Sequence, residues 1–185
     1  AAVISPMLIA FLGIEPYTAV GIALASDVLA SAVSAYTYHK NKNLDVKNGL
    51  LMMAMVLVFT VIGSYVSSVV SSQTMGGFSM FMTLLLGIKF IVKPVMTTKQ
   101  AMESVSKKRR MLGSLISGII IGFICGFIGA GGGMMMLLIL TTVLGYELKT
   151  AVGTSVFIMS FTALTGAVSH FSLGDAPDLG VMALC

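Results

Sequence analysis

Four groups of residues in this chain have types and spacings suited to chemistry. The first is "GAGGG" (Gly129–Gly133), set in the apolar run "GFICGFIGAGGGMMMLLIL". Glycine reaches backbone angles closed to other residues and lets a ligand approach the main chain. A break between two half-helices there would bare the N–H groups that open the second, at its positive dipole end. Such an end favours anions, so Gly131, Gly132 and Gly133 are candidate anion-binding residues. Close helix packing through small residues is the other use of such glycines, and it suits Gly118, Gly122, Gly126 and Gly129 better. The second group is Gly153-Thr154-Ser155. Hydroxyls and N–H groups opening a helix would hold an oxyanion without adding a full charge, while plain N-capping would use the same residues.

The third group is Asp27 with Ser31, Ser34 and Tyr38, spaced four, three and four along one helix face. An ionisable residue in the middle of an apolar helix is a functional candidate by default. Proton coupling, pairing with a lysine such as Lys89, and a cation pathway all remain open for Asp27. The fourth group is Thr162 and His170, which follow Ser155 on its helix. Interhelical hydrogen bonding is the plainer use of Thr162, and His170 is expected at the interface near the outer surface rather than in a proton relay. No Gly-x-Ser-x-Gly, His-Glu metal pair or other nucleophile–base arrangement appears, so an enzyme is not expected. Neither a metal nor a cofactor is expected. Cys125 and Cys185 read as small buried hydrophobes, and the methionines as adaptable packing.

The elements that must position these residues are membrane helices. The chain is 57% hydrophobic and 10% charged, with a mean hydropathy of +1.01. Soluble domains are about 45–50% apolar and about 25% charged. Apolar stretches at Leu50–Val70, Phe78–Val92 and Met111–Ile128 are near or above the length that spans a bilayer. Their continuous apolarity excludes barrel strands, which alternate. The fold class is therefore an all-α membrane protein, a polytopic helical bundle with the lipid bilayer as its surroundings. The net charge of +4 is no nucleic-acid signal. It comes from His39–Lys47 and Lys93–Arg110, whereas Ser71–Gly77 and His170–Asp178 hold no Lys or Arg. The positive-inside rule puts loops 39–48 and 93–110 in the cytoplasm.

"GIEPYTAVG" (Gly13–Gly21) recurs as "GYELKTAVG" (Gly145–Gly153), identical at six of nine positions and 132 residues away. Each copy leads into a small-residue helix, Ala19–Tyr38 and Ala151–His170. By the charge rule the two helices cross in opposite directions, which makes the repeats inverted. Three crossings per repeat then leave Met111–Leu144 as a re-entrant hairpin broken at its glycines. The expected divisions are 1–92 (first repeat), 93–110 (basic cytoplasmic loop) and 111–185 (second repeat). Inverted repeats with broken helices are the pattern of secondary transporters.

"GFICGFIGAGGG", "AVGTSVF" and "TALTGAVSHFSLGD" together resemble the second repeat of the sulfite exporter TauE/SafE family, and residues 19–46 resemble its first. The resemblance implies a transporter of sulfite, organosulfonates such as taurine or sulfoacetate, or related small anions, with a re-entrant Gly-rich motif in each half. It is compatible with a homo-oligomer. Shifting Gly131–Gly133 back by the repeat offset puts the first repeat's glycines at or before Ala1, so a longer protein is expected. A proton or cation pathway on Asp27 and a non-transporting scaffold are the alternative functions.

Overall fold

Helix boundaries fall where the sequence supplies caps and turns. The computed structural model describes residues 4–92, 107–128 and 132–173. They form α1 (Ile4–Leu12), α2 (Pro16–Lys40), α3 (Val46–Val69), α4 (Ser72–Val92), α5 (Lys107–Ile128), α6 (Gly132–Thr142) and α7 (Leu148–Leu173), with no strand among them. Residues 93–106 and 174–185 lie outside the described residues. Pro16 opens α2, its fixed φ already suited to a first turn. Asp45 caps α3, accepting from the Asn48 N–H at 3.2 Å and from Asn48 Nδ2 at 2.7 Å. Helices α2, α5 and α7 begin earlier than their apolar runs, at Pro16, Lys107 and Leu148, because a first turn needs good helix formers rather than apolar residues.

The sequence repeat is also a structural one. After α1 and α6 the chain turns through Gly13 (φ 62°) and Gly145 (φ 68°), in the left-handed region where glycine carries no Cβ penalty. The next N–H groups fold back alike, Ile14 to the Leu8 carbonyl at 3.2 Å and Tyr146 to the Leu140 carbonyl at 2.8 Å. Ala19 then donates to the Glu15 carbonyl and Ala151 to that of Glu147. Each member of these pairs is 132 residues from its counterpart.

Contacts along the helices give their directions. Gly21 faces His170 and Phe171, Gly166 faces Leu24, and Gly153 faces Tyr38, so α2 and α7 are antiparallel. Gly21 and Gly153 are counterparts in the repeat, as are Tyr38 and His170. The contacts at the two ends of this pair are therefore the same contact, exchanged between copies. Helices α3 and α5 run parallel, with Gly118 against Met52 and Met55, Gly122 against Val56, and Gly126 against Thr60. A methyl group on Gly126 would overlap the Thr60 carbonyl, and one on Gly63 the Phe123 carbonyl. Packing is thus what Gly118, Gly122 and Gly126 do, in the manner of small-xxx-small contacts. Gly129 lies outside the described residues. Thr60 Oγ1 adds a hydrogen bond across the pair to the Gly122 carbonyl at 3.3 Å.

Helices α5 and α6 form a hairpin whose ends meet. A Cβ on Gly113, near the start of α5, would lie 2.8 Å from Leu144, just past α6. With 11 residues, α6 is about 16 Å long, too short to span. Four helical stretches are long and apolar enough to cross a membrane: α2, α3, Met111–Ile128 and α7. Met111–Ile128 could therefore span alone rather than form half of a symmetric hairpin.

Large apolar side chains such as Leu29, Phe161 and Val168 point outward, while Ser31, Thr60, Ser64, Ser67, Thr154, Thr162 and His170 are buried. Lipid as the outer solvent explains this polarity, because buried hydroxyls join helices that the hydrophobic effect cannot join there. One apolar core sits between α3, α5, α6 and α7 around Met52, Ile121, Met136 and Leu140. A second fills the α2–α5–α7 junction around Leu24, Cys125 and Ala163.

Candidate functional site

The candidate residues gather along the α2–α7 pair and at the start of α6. Gly131 is outside the described residues, and Gly132 is the first residue of α6. A Cβ on Gly133 would meet nothing within 4 Å. Among the described residues, Gly133 is therefore not held by packing, unlike the glycines of α5.

Gly153, Thr154 and Ser155 do not open a helix. Helix α7 starts at Leu148, so Gly153 is its sixth residue, past the first turn whose N–H groups lack intrahelical acceptors. Instead the motif clasps the α2–α3 turn. A methyl group on Gly153 would overlap the Asn43 carbonyl oxygen, and the fully buried Thr154 accepts from the Asp45 N–H at 3.1 Å. The Ser155 hydroxyl donates to the Val152 carbonyl at 2.9 Å. Asp45 also accepts from the Tyr146 hydroxyl at 2.9 Å. Two turns from different repeats are thereby tied through one carboxylate.

The stripe on α2 lies along the pair. Asp27 is half-buried, and the Ser31 hydroxyl donates back to the Asp27 and Val28 carbonyls. Ser34 donates to the Ala30 carbonyl at 2.7 Å, and Tyr38 packs on Gly153. Thr162, fully buried, donates to the Ile158 carbonyl at 2.8 Å. Such back-bonds satisfy hydroxyls inside their own helix.

His170 is not interfacial. It is 1% exposed, and its Nε2 lies 3.0 Å from the Gly126 carbonyl oxygen. Its ring packs on that of Tyr17, the centroids 4.3 Å apart. The Ser64 hydroxyl reaches the same Gly126 carbonyl at 3.4 Å. Helices α2, α3, α5 and α7 therefore meet at His170. Its sequence position, three residues before the end of α7, suggested a helix end near the outer surface; α2, through Tyr17 and Gly21, and α5, through Gly126, pack over that end and bury it.

A match to the sulfite exporter TauE/SafE family extends over residues 1–185. The chain belongs to that family. Among its relatives, "Probable membrane transporter protein YunE" of Bacillus subtilis is 27% identical over 94% of this chain and 68% of its own length. "Probable membrane transporter protein MJ0441" of Methanocaldococcus jannaschii is 29% identical, covering 83% of this chain and 56% of itself. "Probable membrane transporter protein YdhB" of Bacillus subtilis is 45% identical over 56 residues, 30% of this chain and 23% of itself. No solved structure matches the chain.

In this TauE/SafE protein, sequence reasoning missed Tyr17 and the Asp45–Tyr146–Thr154 tie. Tyr17 did carry a signal: within the repeated motif it stands where the second copy has Lys149, so the copies differ at that point. Tyr146 carried none, because an aromatic in an apolar region looks like core.

Proposed function

We propose that this chain belongs to a secondary transporter that carries small anions across the cell membrane. Sulfite and organosulfonates such as taurine or sulfoacetate are the substrate class. Family membership supports the transporter class. The observation that carries the reading is the antiparallel α2–α7 pair, in which one turn-and-helix motif is used twice and exchanged end for end. Such a pair supports reading the chain as inverted repeats, the arrangement from which alternating access follows. The start of α6 at Gly132 and Gly133, with Gly131 before it, is the anion site on this reading. Thr154 acts on this reading by fixing the α2–α3 turn, and Ser155 bonds back within its own helix; neither is a ligand. The end carrying Lys40, Lys42, Lys47, Lys149 and the start of α5 faces the cytoplasm.

The test is flux in sealed proteoliposomes holding the full-length protein, with labelled sulfite, sulfate, taurine and sulfoacetate offered in turn. Saturable uptake of one of them, reduced by Gly133→Ala in a protein of unchanged thermal stability, supports the reading. No flux of any of the four, in vesicles shown to be sealed, removes it.

A further inference from the structure

His170 and Tyr17 form a second polar site, and its chemistry follows from one hydrogen bond. The Gly126 carbonyl can only accept, so His170 Nε2 carries a hydrogen. A neutral imidazole has one N–H, which leaves Nδ1 a bare acceptor; protonation turns Nδ1 into a donor. Nδ1 and the Tyr17 hydroxyl are both buried, and neither has a hydrogen-bond partner among the described residues. Buried polar atoms are nearly always paired, and leaving one unpaired costs about 1–3 kcal/mol. Two of them on rings 4.3 Å apart point to a ligand that uses both.

The surroundings give the sign of that ligand. Tyr17 is in the first turn of α2, which follows Pro16 and has no side-chain cap from Glu15. The N–H groups of that turn and the positive dipole end of a 25-residue helix therefore lie beside His170. Gly21, one turn further, lets the α2 backbone come close; a Cβ there would lie 3.3 Å from that of His170. From α5 the titratable neighbour in this junction is Cys125, within the apolar cluster that also holds Tyr17 and Phe171. From α3 come the Ser64 and Ser67 hydroxyls, both buried. The charged residues of α3, α5 and α7 stand at the opposite end of their helices. On α2 the carboxylates are Glu15, next to this turn, and Asp27, about 15 Å further along. Helix α4 carries one charged residue, Lys89.

We infer that the junction of the α2 start with the α7 end is an anion subsite that fills only when His170 Nδ1 takes a proton, so that anion and proton are carried together. This rests on the anion-transport reading above and deepens it. An oxyanion offers acceptors alone. Neutral Nδ1 opposes it lone pair to lone pair, whereas protonated His170 supplies both an N–H and a positive charge beside the Tyr17 hydroxyl. The proton comes from the adjoining aqueous phase as the anion enters and leaves with it, so each anion crosses with one negative charge cancelled. At the other end of the α2–α7 pair the counterparts are Tyr38 for His170 and Lys149 for Tyr17. Proton handling is confined to one end.

The experiment uses the full-length protein in vesicles loaded with a pH-reporting dye, with sulfoacetate, sulfate and taurine as probes. Sulfite is omitted because it titrates near neutrality itself. Wild-type protein should carry protons with the anion, and its apparent affinity should fall about tenfold per pH unit once His170 is neutral. His170→Gln keeps a donor for the Gly126 carbonyl but has no titratable nitrogen; it should lose proton movement and flatten the pH profile. Tyr17→Phe should raise KM while keeping the pH dependence. Because this chain has two histidines, ¹⁵N-histidine NMR of the wild type, with His170→Gln as the assignment control, reads Nδ1 directly. Saturating sulfoacetate should convert it from bare nitrogen to N–H. If His170→Gln does not fold, proton movement with the anion in the wild-type protein decides. Anion flux without proton movement, or an Nδ1 signal that the anion leaves unchanged, overturns the inference and leaves anion transport standing. Absence of all flux overturns both.

Discussion

Replacing Gly153 by alanine tests how the two copies are held together. In a helix interior alanine is favoured over glycine by about 1 kcal/mol, so taken alone the change stabilises α7. In the fold, the new Cβ would overlap the Asn43 carbonyl oxygen and lie 3.0 Å from Tyr38 Cβ. That oxygen is main chain, in a turn tied by Asn43 N–H to the Tyr38 carbonyl at 3.0 Å and by Asp45 N–H to Thr154 at 3.1 Å. No rotamer change can move it away, so the whole α2–α3 turn must lift from α7. Overpacking of this kind costs about 1–3 kcal/mol. Loss of the Asp45–Thr154 bond leaves a half-buried donor unpaired, about 1–3 kcal/mol more. The net expectation is a loss of about 1–5 kcal/mol after the gain in helix propensity. Gly133→Ala is the matched control, because its Cβ would meet nothing within 4 Å. The assay is the thermal midpoint of the detergent-solubilised protein, read by size-exclusion chromatography after heating. Midpoints are compared directly, since a multi-helix membrane protein need not unfold in two states. Gly153→Ala should fall well below wild type while Gly133→Ala stays level or rises. Equal midpoints for the two alanine variants would refute the argument that Gly153 clasps the turn.

Three more outcomes follow from the same geometry. Thr154→Val keeps the shape but removes the acceptor for the Asp45 N–H, and should lower the thermal midpoint by the equivalent of about 1–3 kcal/mol; Thr154→Ser, which restores an oxygen, should recover most of it. Tyr146→Phe deletes the hydroxyl that donates to the Asp45 carboxylate, a charge-assisted bond worth about 1.5–3 kcal/mol, and should show a comparable fall in the same heating assay. Cys125 is fully buried where α5 meets α2 and α7, so a maleimide should label it only after denaturation; fast labelling of the Cys125 peptide in folded protein, read by mass spectrometry, would show that this junction is open.

The sequence alone established that this is a helical membrane protein, and it showed the repeat through Gly13–Gly21 and Gly145–Gly153. Both are one-dimensional signals: hydrophobic run length, and identities at a constant offset. Tertiary structure decided the roles. Gly126 and Gly133 are the same residue type seven apart, yet one is pressed against Thr60 and the other is open, and only the approach of α3 distinguishes them. Thr154 read as a ligand or a cap and is in fact an acceptor for a turn 109 residues earlier. His170 read as a surface residue and is buried because α2 and α5 pack over the end of α7. Spacing along a helix says which residues share a face. What that face meets depends on how helices distant in sequence pack, and no local pattern carries that information.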